Sequence, residues 1–218
     1  MSCQSSAESD ECVKEIPSVV DKVKRNDNKG FVDFITKIDD KIEIIRCKIT
    51  DVDNIHIILS HRCKNLGTLV CLDFHGVADL YGPDEPIPSE LPKCIISYIG
   101  SNMMTLQSTI DMITPRILSN EIIFGVIVYT KHSEPQIGTK GWILSLMATI
   151  VRKIHFIDDD MVNIQCANNI KNKAIKSYFI TKAPSRAKLE KQKPNQQHKP
   201  LPKQAVEEIL IKIGKGNN

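Results

Sequence analysis

Acidic side chains stand where two short apolar runs of the chain end. Asp73 ends the run TLVCLD, and Asp158, Asp159 and Asp160 end the run KIHFIDDD. Because parallel strands bind ligands at their carboxyl ends, we expect these carboxylates to lie at one edge of a sheet. Converging carboxylates repel each other unless a cation lies among them, and hard oxygen ligands suit Mg²⁺. The acids therefore predict a magnesium site.

Three further polar residues occupy the ends of predicted elements. Ser97 lies in the run CIISYIG, Thr130 ends IIFGVIVYT, and Lys140 opens the helical pattern that follows. A hydroxyl can donate a hydrogen bond to a phosphoryl oxygen. A lysine and a metal ion can neutralise the repulsion between a carboxylate and the phosphoryl group that it attacks. The ordered set of acid, hydroxyl, lysine and acid cluster predicts phosphoryl transfer.

Four segments, in chain order, resemble the motifs of the haloacid dehalogenase superfamily. LDFHGVADL resembles its first motif, CIISYIG the strand of the second, GTKGWIL the helix-opening lysine of the third, and FIDDDMVNIQCA the acid pair of the fourth. They span residues 68 to about 168. The resemblance implies a Rossmann-like core and a Mg²⁺-dependent phosphohydrolase.

The resemblance also implies roles for individual side chains. Asp73 would attack phosphorus and form an aspartyl-phosphate. Ser97 would hold a phosphoryl oxygen, with Ser101 as its rival for that role. Lys140 would stabilise both the nucleophile and the phosphate. The set describes a catalytic nucleophile with a phosphate-binding lysine and hydroxyl.

The implied metal ligands are Asp73, Asp158, Asp159 and the backbone carbonyl of His75. The imidazole of His75 is a departure, because the family's phosphatases have an aspartate there as general acid and base. Histidine can do both jobs near neutral pH, although its ring is longer and its charge has the opposite sign. His75 is therefore either the working acid and base or an inert replacement.

The spacing of the motifs leaves no room for a cap domain. Positions 73 and 97 are 24 residues apart, and about ten residues separate the third apolar run from Lys140. Family members with caps insert them in these two intervals. An uncapped site is open, which suits a phosphate on a protein or nucleic acid better than an engulfed metabolite.

Short apolar strands alternate with helical patterns over residues 67–182. This alternation predicts an α/β core, a three-layer Rossmann-like parallel sheet with helices on both faces. We predict the elements as follows: strands at 68–73, 94–100, 122–130, 153–160 and 177–180, helices at 102–117 and 139–151, and a short helix through Ala167. Residues 31–66 are expected to form an extension packed on this core. Its first apolar group, from Phe31 to Ile38, has helical spacing, and Ile42, Ile44 and Ile45 fit either a helix or a strand.

The two ends of the chain differ from the core in composition. Residues 1–30 are polar and acidic, which predicts disorder. Residues 183–203 form a basic linker rich in Pro, Lys and Gln, and a short amphipathic helix is expected within 204–218. Residues 171–203 carry ten Lys and Arg against one acid. This segment is either a solvated linker or a weak, non-specific binder of nucleic acid.

The composition sets the class and the compartment. The 218 residues suffice for one α/β domain with flexible extensions. No apolar stretch approaches the length of a membrane span, so we expect no membrane contact. The seven cysteines form no CxxC pair and no zinc-like spacing, which is typical of an intracellular, cytoplasmic protein.

Three functions are compatible with these features of the sequence. The first is a Mg²⁺-dependent phosphohydrolase that acts through an aspartyl-phosphate, on a phosphorylated macromolecule or a small phosphoester. The second is a degenerate member of the same superfamily that binds a metal or a phosphorylated partner without turnover. The third is a polyanion-binding protein that acts through its basic tail. His75 favours the second over the first, whereas the set of Asp73, Lys140, Asp158 and Asp159 favours the first.

Overall fold

A seven-stranded sheet and five helices make up the parts of the chain that the structure describes. This computed structural model describes residues 30–82, 84–99, 103–129, 140–170, 172–181 and 201–216. The strands are β1 (Phe31–Ile38), β2 (Lys41–Lys48), β3 (Thr68–Asp73), β4 (Lys93–Ile99), β5 (Phe124–Tyr129), β6 (Lys153–Asp158) and β7 (Ile175–Phe179). The helices are α1 (Val52–Arg62), α2 (Met103–Leu118), α3 (Gly141–Met147), α4 (Met161–Asn169) and α5 (Pro202–Lys215).

The strand order places a topological switch point at β3. The order across the sheet is β2-β1-β5-β4-β3-β6-β7. From β3 the chain builds β4 and β5 on one side, and it then crosses to add β6 and β7 on the other. All pairs from β5 to β7 are parallel, as predicted. In open α/β sheets, ligands bind at the carboxyl ends of the strands beside such a reversal.

Helices cover both faces of the sheet and confirm the three-layer α/β prediction. One apolar core lies between the sheet and α1, α3 and α4, with Leu59, Leu144 and Ile164 among its buried side chains. The other lies under α2 and α5 and includes Ile110 and Leu210. The central strands bury side chains on both faces, so they appear in the sequence as continuous apolar runs.

The helix expected from the spacing of Phe31, Phe34, Ile35 and Ile38 is wrong. These residues form β1, which pairs antiparallel with β2 and with β5 and so belongs to the main sheet. Phe34 is buried in one core and Ile35 in the other. A strand buried on both faces shows no alternation, so its apolar positions matched helical spacing by coincidence. The second apolar group, left open between helix and strand, lies in β2.

The C-terminal helix packs on the core. α5 begins at Pro202, earlier than expected, and buries Val206, Leu210 and Ile213 against the α2 face of the sheet. The Lys203 ammonium pairs with the Glu85 carboxylate in the loop between β3 and β4. The disorder expected for residues 1–29 and the linker at 183–200 lie outside the described residues. Within the described ranges, no helix is long and apolar enough to cross a membrane.

Candidate metal and phosphate site

Two buried carboxylates meet at the carboxyl ends of β3 and β6. These strands are direct neighbours in parallel register, with Leu72 opposite Ile157, and Asp73 and Asp158 follow that pair. Both carboxylates are buried. Asp159 follows at once, and one carboxylate oxygen each of Asp73, Asp158 and Asp159 lie within 4.8 Å of one another. The predicted acid set is therefore brought together at the switch point of the sheet.

Lys140 joins the two buried carboxylates. It stands at the start of α3, is itself buried, and places its Nζ 2.6 Å from Asp73 Oδ1 and 2.6 Å from Asp158 Oδ2. Three carboxylates and one ammonium leave two formal negative charges at the site. A hard divalent cation would neutralise this charge, and carboxylate oxygens are the ligands that Mg²⁺ prefers. The donor set therefore fits the predicted metal.

The charges in the cluster change its protonation in the absence of a metal. The pKa of Asp73 is raised to about 7, chiefly by burial, with Lys140 opposing the shift and Asp158 and Asp159 adding to it. Burial alone would lower the pKa of Lys140, but Asp73 and Asp158 outweigh burial and raise it. We conclude that the lysine stays charged, while Asp73 holds its proton more tightly than an ordinary aspartate.

Asn163 is part of the site, although no role was predicted for it. Its Nδ2 donates to Asp158 Oδ2 at 3.2 Å, and its Oδ1 accepts from the backbone N–H of Lys140 at 3.2 Å. The side chain thus ties α4 to α3 and to the end of β6. A buried amide in the first turn of a helix, five residues after a strand-end acid, was the available signal in the sequence.

The third acid of the run caps a helix. Asp160 Oδ1 accepts from the backbone N–H of Val162 at 2.9 Å at the N-terminus of α4. The backbone N–H of Asp160 donates to Asp158 Oδ1 at 2.6 Å. Within this run, Asp158 and Asp159 belong to the carboxylate cluster, whereas Asp160 caps the N-terminus of α4.

The loop after β3 closes tightly against Asp159. Gly76 has φ +82°, and a Cβ at this position would lie 2.0 Å from Asp159 Oδ2. The backbone N–H of Gly76 donates to Asp79 Oδ1 at 2.6 Å, and the backbone N–H of Asp79 donates to the Phe74 carbonyl at 2.9 Å. Only glycine combines this backbone conformation with so close an approach.

His75 lies on this loop with its side chain exposed. Its ring packs edge-on against Phe74, with centroids 4.9 Å apart. Partial desolvation lowers the pKa of His75 and Lys140 lowers it further, although Asp79 and Asp159 act in the opposite direction. The assignment of the backbone carbonyl of His75 as a metal ligand stays a prediction.

Ser97 lies on the opposite face of the sheet from the carboxylates. It is inside β4, two residues before the strand ends, and alternation puts its side chain on the side of Ile95 and Ile99, under α2. Asp73 lies on the other side, with Cys71. Ser97 Oγ is buried and has no hydrogen-bond partner among the described residues. The structure thus does not bring Ser97 to the cluster. Ser101 and Thr130 lie outside the described residues.

Comparisons with models of protein families, with curated proteins and with solved structures found no match to this chain. The family assignment therefore depends on the sequence motifs and on the geometry of the site, and it stays a prediction.

Proposed function

We propose that this protein is a Mg²⁺-dependent phosphohydrolase of the haloacid dehalogenase type, acting on a phosphate exposed on a macromolecule. The observation that carries the proposal is the position of Lys140, whose Nζ contacts Asp73 and Asp158 at the switch point of a parallel sheet. Asp159 completes a set of three carboxylates beside it. A lysine between a strand-end nucleophile and a pair of metal-binding acids is the arrangement that phosphoryl transfer from an ester to a carboxylate requires.

Asp73 is the nucleophile of the proposed reaction. A carboxylate oxygen of Asp73 attacks phosphorus, the bond between phosphorus and the ester oxygen breaks, and the departing oxygen takes up a proton. Water then attacks the phosphorus of the aspartyl-phosphate, which releases inorganic phosphate and regenerates Asp73. Lys140 holds the attacking oxygen in place and offsets its charge. Asp73, Asp158 and Asp159 would hold Mg²⁺, which supplies positive charge for the phosphoryl oxygens.

Whether the protein hydrolyses a phosphate ester or only binds it depends on whether His75 can act as the general acid and base. Its exposed ring lies two residues after Asp73, at the position where the phosphatases of the family have the proton donor to the leaving group. Binding of a phosphorylated partner without hydrolysis is the second candidate function, and the histidine at position 75, where the phosphatases of the family have an aspartate, is the observation that favours it.

The test measures phosphate release from 4-nitrophenyl phosphate in Mg²⁺, and Mg²⁺ binding by calorimetry. We expect Asp73→Asn to abolish turnover and Asp158→Asn to weaken Mg²⁺ binding. Asp111→Asn, an exposed position on α2, is the matched control. Equal Mg²⁺ affinity in wild type and Asp158→Asn would rule out the metal site. Mg²⁺-dependent binding of beryllium fluoride, a phosphoryl mimic, without any turnover would favour the binding function.

Polyanion binding by residues 171–203 is a separate proposal that depends on the charge of the segment. Its affinity for nucleic acid should fall as salt is added, since counterion release would drive it. Truncation is a poor test, because it would remove α5 and expose the core that α5 covers. Replacing Lys191, Lys193 and Lys199 with glutamine removes the charge and leaves α5 in the chain.

A further inference from the structure

We propose that the phosphate group recognised here is attached to an apolar group, in the first place an aromatic ring. This inference depends on the proposed function and names its substrate class. It is drawn from an apolar rim beside the carboxylates, formed by Met161, Val162 and Phe179. Their side chains are 43%, 55% and 39% exposed. Single exposed apolar residues are common on proteins, but these three stand at the ends of two elements that adjoin Asp158, and this placement calls for an explanation.

Phe179 is the register partner of the metal-binding acid Asp158. It ends β7, directly beside the end of β6, and the backbone N–H of Ile180 donates to the Asp158 carbonyl at 3.0 Å. Residues paired in register point to the same side of a sheet. The Phe179 side chain is therefore on the face that carries the carboxylates, one strand away from them. The ring lies at the same edge as the proposed phosphate site.

Met161 and Val162 form the first turn of α4, directly after the capping residue Asp160. Ser177 Oγ donates to Asn168 Oδ1, which places the end of α4 over β7. Met161 is two turns before Asn168 on the same stripe of the helix, and Phe179 is two residues beyond Ser177 on the same face of the strand. Because α4 runs opposite to β7, both steps lead to the carboxyl edge of the sheet, which places Met161 and Phe179 at the same edge.

The charges around the rim argue against a polyanion. Asp79 and Asp160 are exposed acids near the site, while its cation Lys140 is buried against carboxylates. Among the described residues, the charges at this edge would therefore repel the flanking phosphates of a nucleic acid. An uncharged apolar group attached to the phosphate would meet no such repulsion and would cover the apolar rim. The combination favours a phosphorylated aromatic side chain on a protein segment.

The test compares two phosphonates that the protein cannot hydrolyse, measured by calorimetry or NMR titration in Mg²⁺. Benzylphosphonate carries the ring, and methylphosphonate does not. One apolar contact is worth about 10-fold or more in discrimination, so we expect benzylphosphonate to bind about 10-fold more tightly. Phe179→Ser and Met161→Ser should remove that preference and leave methylphosphonate affinity unchanged. Ile57→Ser, at an apolar position of α1 that is 63% exposed, is the matched control and should keep the preference.

Three results would overturn the proposal: equal affinity for the two phosphonates, no binding of either, or tighter binding of a 5′-phosphorylated oligonucleotide than of benzylphosphonate. The last result would assign the substrate to nucleic acid. Because the measurement needs no catalysis, it separates the two claims. A preference for benzylphosphonate without turnover of 4-nitrophenyl phosphate would contradict only the proposed hydrolysis. Turnover without that preference would contradict only the proposed role of the rim.

Discussion

Gly76 and Asp159 approach each other so closely that position 76 has no room for a side chain. A Cβ there would lie 2.0 Å from Asp159 Oδ2 and 2.6 Å from its carboxyl carbon. The positive φ of Gly76 adds a second restriction, since side chains other than glycine's disfavour the left-handed region. The loop after the proposed nucleophile Asp73 thus packs closely against the carboxylate of a proposed metal ligand.

Gly76→Ala should therefore weaken Mg²⁺ binding, because the methyl group must displace Asp159 or the loop. The left-handed conformation alone should cost about 1–2 kcal/mol in the free energy of unfolding. Calorimetric titration and chemical denaturation measure the two effects. Gly214→Ala in α5 is the matched control, because a Cβ there meets nothing within 4 Å. Wild-type Mg²⁺ affinity in Gly76→Ala would contradict this prediction.

Lys140→Met should destabilise the metal-free protein strongly. The variant removes the one cation that contacts the buried carboxylates of Asp73 and Asp158 within the described structure. Loss of one partner from a buried ion pair costs about 3–5 kcal/mol. Added Mg²⁺ should restore part of that loss, because it would supply the missing charge. Urea denaturation with and without Mg²⁺ checks this, with exposed Lys212→Met as the control; a loss below 1 kcal/mol, about the worth of a surface pair, would contradict it.

His75→Asp should raise phosphatase activity if the core lacks only its acid and base. General acid–base catalysis contributes about 10²–10⁴-fold, so the gain should be evident in phosphate release. Asp73→Asn should abolish activity in both backgrounds. An active wild type that His75→Asp slows would show instead that the histidine is the working acid and base. No turnover in either protein, with Mg²⁺ and phosphate still bound, would favour the binding function.

His155 should make the protein sensitive to mild acid. The ring is buried in β6, its Nδ1 lies 2.9 Å from the Tyr178 hydroxyl, and burial lowers its pKa to about 4, with Lys153 and Lys176 adding to the shift. Below pH 6.5 the imidazole of His155 becomes protonated in the unfolded chain, whereas in the folded chain it stays neutral until the pH approaches 4. The contribution of His155 to stability is therefore fully present above pH 6.5 and is lost as the pH drops towards 4.

The free energy of unfolding, measured by denaturation at about pH 7.5 and about pH 5, checks the acid sensitivity. His155→Gln should lose less stability than wild type between the two values. His61→Gln, at the exposed end of α1, is the control and should behave like wild type. An equal loss in wild type and His155→Gln would assign the acid sensitivity to other groups.

The sequence predicted the central strands well and the ends of elements less well. β3 and β6 are buried on both faces, so each appears as a short apolar run ended by an acid. The helix expected at 139–151 ends earlier, at Met147, because Ile150 and Val151 continue to pack on the core from a turn. The spacing of apolar residues indicates which positions are buried. Here the buried positions continue beyond the last residue of the helix.

The site was predictable where it depends on strand ends and not where it depends on tertiary contacts. Asp73, Lys140 and Asp158 stand at element ends, and topology alone brings them together. Ser97 was placed at a strand end, but β4 continues to Ile99, and alternation turns the hydroxyl to the other face. The position of Asn163 after the strand-end acid was visible in the sequence, but its hydrogen-bond partners belong to two other elements and were not.

The pairing of β3 with β6 has a consequence for when the proposed metal site can form during folding. Asp73 and Asp158 are 85 positions apart (158 minus 73), and β4, α2, β5 and α3 lie between them in the chain. Contacts of such large sequence separation form late in folding, since the entropy of closing the intervening loop must be overcome first. A growing chain on the ribosome therefore holds only Asp73 of the three acids proposed to bind the metal until β6 emerges. Binding of Mg²⁺ would then report completion of the sheet, and a stalled or prematurely ended chain would carry no site.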